Sequence, residues 1–234
     1  MFMAIKKVAK KAQKSSKLHQ TLSDYSAKHI QVLEGLEPVR KRPGMYIGST
    51  DIAGLHESLR EIIDNAVDEA LAGFAKNIWI TLNKDGTATV IDDGRGIPVD
   101  IMPAYKKSAL EIVMTKLHAG GKFGGSAYKI SGGLHGVGAS VVNALSEWMK
   151  VEVKLNNKVY SQEYSRGKTK TPLNEAKINS KTDFNPESPT GTKVTFFPDS
   201  QIFSTLIFDF DTVKKAIRER AYLVPKLYFH FVDI

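Results

Sequence analysis

Apolar residues recur at helical spacing through one long stretch of the chain. Leu55, Leu59, Ile62, Ile63, Ala66, Val67 and Ala70 fall at steps of three and four, which predicts an amphipathic helix over 55–73 stopped at Gly73. Alternation follows. Ile78, Ile80 and Leu82 alternate with their neighbours, Asp85-Gly86 supplies a tight turn, and Thr87–Ile91 returns as a second strand. The pattern predicts further helices at 30–36, 108–118, 138–147 and 211–223, a hairpin turning at Asn156-Asn157, and strands at 192–197 and 227–232. Pro38, Pro43, Gly44 and Gly48 mark a loop, and residues 165–190, rich in Lys, Thr, Asn, Ser and Pro, suggest another, exposed one. Helices and hairpins are mixed rather than repeated as βαβ units. This predicts an α/β domain with a mixed, largely antiparallel sheet and helices packed on one face.

Composition narrows the picture by exclusion. The 234 residues contain no cysteine, so there is no disulfide framework and no thiolate metal site, which fits a reducing cytosol. No apolar run approaches the length of a bilayer span. The net charge of +8 invites a nucleic-acid reading, but its distribution weakens that reading. Lys6, Lys7, Lys10, Lys11, Lys14 and Lys17 stand in the first 18 residues without an acid, so the remainder carries only +2. Those lysines lie opposite Ile5, Val8, Ala9 and Ala12 at helical spacing. An amphipathic targeting segment and a DNA-contacting arm both fit, but a solvated, disordered extension fits better, since the stretch lacks arginine.

Four constellations carry chemistry, and none is a Walker phosphate loop. On the predicted 55–73 helix, Glu61, Asn65 and Glu69 are spaced by four and Asp68 returns to the same side, with Asp64 beside them. A carboxylate and an amide stacked this way can serve as general base and as hard-oxygen Mg²⁺ ligand, although a solvated acidic face gives the same pattern. Asp92-Asp93-Gly94-Arg95-Gly96-Ile97-Pro98 follows a strand. An aspartate there can accept from an exocyclic amine such as adenine N6, or the segment can be an ordinary turn. Residues 120–138 hold eight glycines and end in Gly133-Leu134-His135-Gly136-Val137-Gly138 before a helix, which suits a mobile lid over a polyphosphate better than a linker. Last, a hydroxyl from Thr190-Gly191-Thr192 could support the aspartate.

The order of these elements resembles the GHKL ATPases, the superfamily of gyrase, MutL-type repair proteins, an ATP-driven chaperone branch and sensor histidine kinases. Three stretches bring the resemblance to the bacterial type II topoisomerases, gyrase B and its topoisomerase IV counterpart. They are Val39–Gly48 (VRKRPGMYIG), Asp64–Ala70 (DNAVDEA), and Leu117–Phe123 (LHAGGKF) with Ser131–Gly138. The resemblance runs from about Tyr25 to the C-terminus. It implies a two-layer Bergerat-type sandwich over 34–234, preceded by the tail 1–18 and a dimerisation arm with a short helix over 19–33. It implies ATP and Mg²⁺ as cofactors, Glu61 as general base, Asn65 as Mg²⁺ ligand, and Asp92 as the adenine-reading carboxylate supported by Thr192. Asp68 falls within the same nucleotide site. Glu69 and Arg95 would pair at the pocket mouth, with Gly96, Ile97 and Pro98 along the adenine slot. Gly120, Gly121, Lys122, Tyr128, Leu134, His135, Gly136, Val137 and Gly138 would hold ribose and phosphates. Tyr25 and Ile30 would lie on an arm that crosses to a second copy when ATP binds. DNA, a gyrase A-type cleavage subunit and coumarin-type or other ATP-competitive inhibitors are the implied partners, and the nucleoid region of the cytoplasm the implied location.

Two positions depart from the family pattern. Glu57 stands where a histidine usually precedes the base by four residues, and a carboxylate there would tend to raise the Glu61 pKa. Leu155 stands where an arginine often reaches pocket ligands, with Lys154 directed to the other side of the strand. The family completes its phosphate site with a lysine from a following domain, so a piece ending at Ile234 is expected to bind nucleotide and hydrolyse it slowly. Two other readings compete. A sensor-kinase-like phosphotransferase is disfavoured by Glu61, and a MutL-type mismatch-repair clamp by the 39–48 loop and the HAGGKF lid.

Overall fold

The two prolines predicted to interrupt the chain before the long helix instead begin short helices. The computed structural model describes residues 32–121, 138–177 and 183–234, and Gly35–Ile234 form one compact unit. Helix α1 spans Glu37–Lys41 and α2 spans Gly44–Ile47. Proline suits a first helical turn because its fixed φ is helical and its missing N–H would have no intrahelical acceptor there. The predicted helix at 30–36 is not formed over 32–36. Gly35 takes a positive φ of 61° and turns the chain.

Helix α3 spans Ile52–Leu71, starting three residues before the first periodic leucine. Asp51 caps it by accepting from Ala53 N at 2.9 Å. It ends where Gly73 adopts φ 84°. The strands are β1 (Asn77–Leu82), β2 (Ala88–Asp92), β3 (Ile101–Met102) and β4 (Lys107–Ser108), and α4 (Ala109–Thr115) follows. Next come α5 (Gly138–Ala144), β5 (Ser146–Leu155), β6 (Lys158–Ser165), β7 (Lys168–Thr169) and β8 (Asn174–Lys177). The chain closes with β9 (Gly191–Pro198), α6 (Phe210–Leu223) and β10 (Tyr228–Asp233). Asn156 and Asn157 both take positive φ, which makes the β5–β6 turn.

The main sheet runs β10-β1-β2-β9-β5-β6-β7, with β8 also on β6, and only β1–β10 pair in parallel. Its inward face supplies Ile78, Ile80, Val90, Met149, Val151, Val153, Val194 and Phe196 to one core, against Leu59, Ile62, Ile63, Leu110, Met114, Val142, Val213 and Ile217 from the helices. The outward face is more polar: Thr89 and Thr195 hydroxyls meet at 3.1 Å, and Glu152 lies between Lys150 and Lys193. The fold is therefore the expected mixed, largely antiparallel sheet with helices on one side.

Two further predictions of local structure need correction. The segment 165–190 is not all loop, because β7 and β8 add to β6 and Phe184 is buried. Helix α5 ends at Ala144 rather than 147, where Ser146 Oγ donates back to Val142 O at 2.7 Å and β5 begins. Asp199, fully buried, ties this corner together. It accepts from Arg40 Nη2 at 2.8 Å and Arg166 Nε at 2.7 Å, while Arg40 Nη1 donates to Ala144 O at 2.7 Å.

Candidate nucleotide site

Helix α3 sorts its acids by partner. Asp64 is taken by both limbs of the Arg220 guanidinium on α6. Glu57 pairs with Arg60 at 2.7 Å, so a neighbouring cation offsets the field it was expected to exert on Glu61. His56 is not a substitute for the missing histidine. Buried, with its pKa lowered by desolvation, it accepts from Asp209 N at 2.9 Å and so joins α3 to the start of α6. Asp68, near the end of the same helix, is fully buried.

Glu61 and Asn65 remain half-buried on the face turned toward α5. Glu61 reaches the first residue of that helix. A Cβ built on Gly138 would overlap Glu61 Oε2 and lie 3.1 Å from its Cδ, so with any other residue there the carboxylate would have to turn aside. The glycine-dense segment thus ends against the proposed base.

The second half of the site is the turn after β2. Asp92 is buried at the strand end, opposite Thr192 of β9, and accepts from Gly94 N at 2.9 Å. Burial pushes its carboxyl up to about 7, with the Glu69 and Asp93 charges adding and the Gly94 and Thr192 amides opposing. Asp93 faces away from the site. It accepts from Lys76 N, Asn77 N and Asn77 Nδ2 and fixes the start of β1. Glu69 accepts from Arg95 N and Nε, both at 3.0 Å, and from Nη2 at 2.8 Å, while the Arg95 guanidinium lies 3.9 Å from the Phe74 ring centroid. Gly96, at φ 79°, brings the chain against β5, where an added Cβ would meet Val153 Cγ1 at 2.9 Å and Leu155 Cδ2 at 3.2 Å. Leu155 therefore borders this turn. Lys154 points elsewhere, donating to Asn185 O at 3.0 Å. Ile97 packs on the core and Pro98 is exposed.

The structure places Glu61, Asn65 and Glu69 along the second half of α3, Asp92, Arg95, Gly96 and Ile97 at and after the end of β2, Thr192 at the start of β9 and Gly138 at the start of α5. Gly120 and Gly121 are exposed. Tyr25, Ile30, Lys122, Tyr128, Leu134, His135, Gly136 and Val137 lie outside the described residues. Ser188 escaped the sequence reading because it sits in a segment of loop composition. It contacts the carbonyls behind the Asp92 turn, and nothing in its local sequence signals that role.

Comparison with known proteins shows the family and the fold. The family model described as histidine kinase-, DNA gyrase B-, and HSP90-like ATPase matches residues 50–202. The DNA gyrase B protein of Thermotoga maritima is 55% identical over 212 residues, covering 91% of this chain and 32% of that protein. The mitochondrial DNA gyrase B protein of Arabidopsis thaliana is 53% identical over 210 residues, covering 88% and 28%. The chain thus spans about a third or less of these relatives. The crystal structure of the 43K ATPase domain of Thermus thermophilus gyrase B in complex with an aminocoumarin superposes with a TM-score of 0.72 at 47% identity, covering 85% of this chain and 48% of that one. On its sequence and its fold, the chain belongs to the histidine kinase-, DNA gyrase B- and HSP90-like ATPase family.

Proposed function

We propose that this chain is the ATP-binding and ATP-hydrolysing part of a type II DNA topoisomerase, of the gyrase B kind first and of the topoisomerase IV kind next. The observation that carries this is the close approach of Glu61 to Gly138. It sets a carboxylate beside the end of the glycine-dense segment, one helical turn from Asn65. Glu61 takes the proton of the attacking water. The Asn65 amide offers one hard oxygen, which suits an ion that keeps several waters and takes its other ligands from phosphates. When bound, Mg²⁺ neutralises charge on the phosphates.

Asp92 accepts from the adenine amine with Thr192 in support, and Ile97 and Pro98 flank the base. The Glu69–Arg95 pair closes the pocket mouth. Lys122, Tyr128 and the 134–138 backbone hold ribose and phosphates. In the intact enzyme, ATP binding brings two copies together through the arm bearing Tyr25 and Ile30. The resulting clamp works with a gyrase A-type cleavage subunit on DNA in the cytoplasm. No described helix is long and apolar enough to cross a membrane. The same pocket takes coumarin-type inhibitors, as the Thermus thermophilus domain takes an aminocoumarin.

The test is equilibrium binding of ATP with Mg²⁺ to the chain and to Asp92→Ala, with folding checked by circular dichroism. Binding by the parent and its loss in the folded variant is the expected result. Equal binding by both would overturn the assignment.

A further inference from the structure

Both peptide units of the turn after Asp92 are held at both of their ends. In the Asp93–Gly94 unit, the N–H donates to Asp92 Oδ1 at 2.9 Å, and the carbonyl oxygen lies 3.3 Å from Ser188 Oγ. In the Gly94–Arg95 unit, the N–H donates to Glu69 Oε2 at 3.0 Å, and the carbonyl accepts from Thr190 Oγ1 at 2.6 Å. The N–H ends thus meet the two carboxylates of the site, and the carbonyl ends meet two hydroxyls from the segment before β9. Ser188 has one proton to give and also lies 2.7 Å from Thr190 O, so Thr190 makes the firmer of the two holds.

This segment is itself anchored. Phe184 is buried, and Asn185 O accepts from Lys154 Nζ at 3.0 Å and Ser188 N at 3.3 Å. Asn185 Oδ1 accepts from Glu187 N at 3.1 Å, which fixes the bend. Lys154 is almost wholly buried, so its ammonium holds the loop from inside the fold. A peptide plane pinned at both ends cannot rotate without breaking two hydrogen bonds. The contact on Asp92 Oδ1 therefore depends directly on the weaker Ser188 hold and, through Gly94, which both units share, on the firmer Thr190 hold.

We propose that Thr190, assisted by Ser188 and the Lys154-anchored loop, is a positioning and specificity-determining residue that sets Asp92 for adenine. The proposal rests on the nucleotide-site reading above. Adenine presents an amine donor where guanine presents a carbonyl acceptor. A carboxylate held in one orientation accepts from the first and repels the second, and a loosened one discriminates less.

The test is calorimetric titration of the chain with a non-hydrolysable ATP analogue and with its GTP counterpart, each with Mg²⁺. The variants are Thr190→Val, which keeps shape and removes the hydroxyl, and Thr190→Ser, which keeps the hydroxyl, with melting temperatures recorded for both. Thr190→Val should weaken binding of the ATP analogue about tenfold, the effect of one lost hydrogen bond in a closed site, and shrink the ATP-over-GTP preference by a similar factor. Thr190→Ser should stay within about twofold of the parent. Unchanged affinity and preference in a folded Thr190→Val would overturn the proposal, as would equal loss for both nucleotides together with a collapse in melting temperature. Failure of the parent chain to bind the ATP analogue at all is a different result and would overturn the nucleotide-site reading itself.

Discussion

Arg95 grips Glu69 side-on with one edge of its guanidinium, Nε to Oε2 at 3.0 Å and Nη2 to Oε1 at 2.8 Å. The pair joins the end of helix α3 to the turn after β2, the two elements that carry the proposed base and the proposed adenine acceptor. Glu69 is nearly buried, so removing its partner leaves a poorly solvated charge. Arg95→Met should therefore lower unfolding stability by about 2–3 kcal/mol and weaken ATP binding as the turn relaxes. Chemical denaturation and a binding titration of the same preparation check this. A variant as stable and as tight as the parent would show that the pair is only a surface contact.

The buried Asp92 carboxyl is pushed up to about 7. Its folded value lies above the ordinary carboxylate value, so the folded chain holds this proton more tightly than the unfolded one. That contribution to stability is complete below about pH 4 and is lost as pH rises to about 7. An ionised carboxylate is the stronger acceptor for an amine, so ATP affinity should rise with pH through the same window and release a proton. Calorimetry in buffers of different ionisation enthalpy measures that proton. Asp92→Asn should show none, and a proton release equal to the parent's would place the titration elsewhere.

Leu155 borders the Gly96 turn, at the position where the family resemblance leads one to expect an arginine. An arginine at this half-buried position has the β5 edge of the turn to lie along and can reach ligand carbonyls. Leu155→Arg should tighten aminocoumarin binding about tenfold, the value of one charge-assisted hydrogen bond, with little change for ATP. Competition titration decides this, and unimproved affinity would count against the placement.

Asp199 bears on stability rather than chemistry. Burial alone would raise its pKa, but hydrogen bonds from Arg166, Gln201 N and Arg40, with the Arg40 charge, outweigh that and hold it below the ordinary value. The depressed value means that its contribution is present above about pH 4 and is lost as pH falls further. Asp199→Asn should cost about 2–4 kcal/mol at neutral pH and flatten the acid limb of the stability profile. Denaturation midpoints across the acid range, from about pH 3 to about pH 7, are the measurement, and an unchanged acid limb would contradict it.

Periodicity and local turn chemistry made much of this architecture legible. The apolar spacing of α3, the Asp85-Gly86 and Asn156-Asn157 turns and the alternation of β1 each depend on near neighbours in sequence. Pro38 and Pro43 misled because a proline that breaks a helix interior also suits a helix start, and local composition does not separate the two cases. The partition of the α3 acids was hidden too. Asp64 is committed to Arg220, 156 positions away, which nothing in the sequence signalled, whereas the Glu69–Arg95 pair was expected from the family resemblance alone. Spacing alone ranks those carboxylates equally with Glu61. The Ser188 contact with Asp93 O and the Lys154 contact with Asn185 O were illegible for the same reason, since the partners come from chain segments distant in sequence, although the side of the strand that Lys154 takes was expected.

The central claim is that Glu61 activates water for ATP hydrolysis while other groups bind the nucleotide. Glu61→Ala, studied by titration with ATP and Mg²⁺ and by single-turnover hydrolysis with protein in excess, separates the two roles. The account predicts binding within about threefold of the parent and hydrolysis reduced at least about a hundredfold, in line with loss of a positioned general base. Hydrolysis at the parent rate, or loss of binding and hydrolysis together, would contradict it.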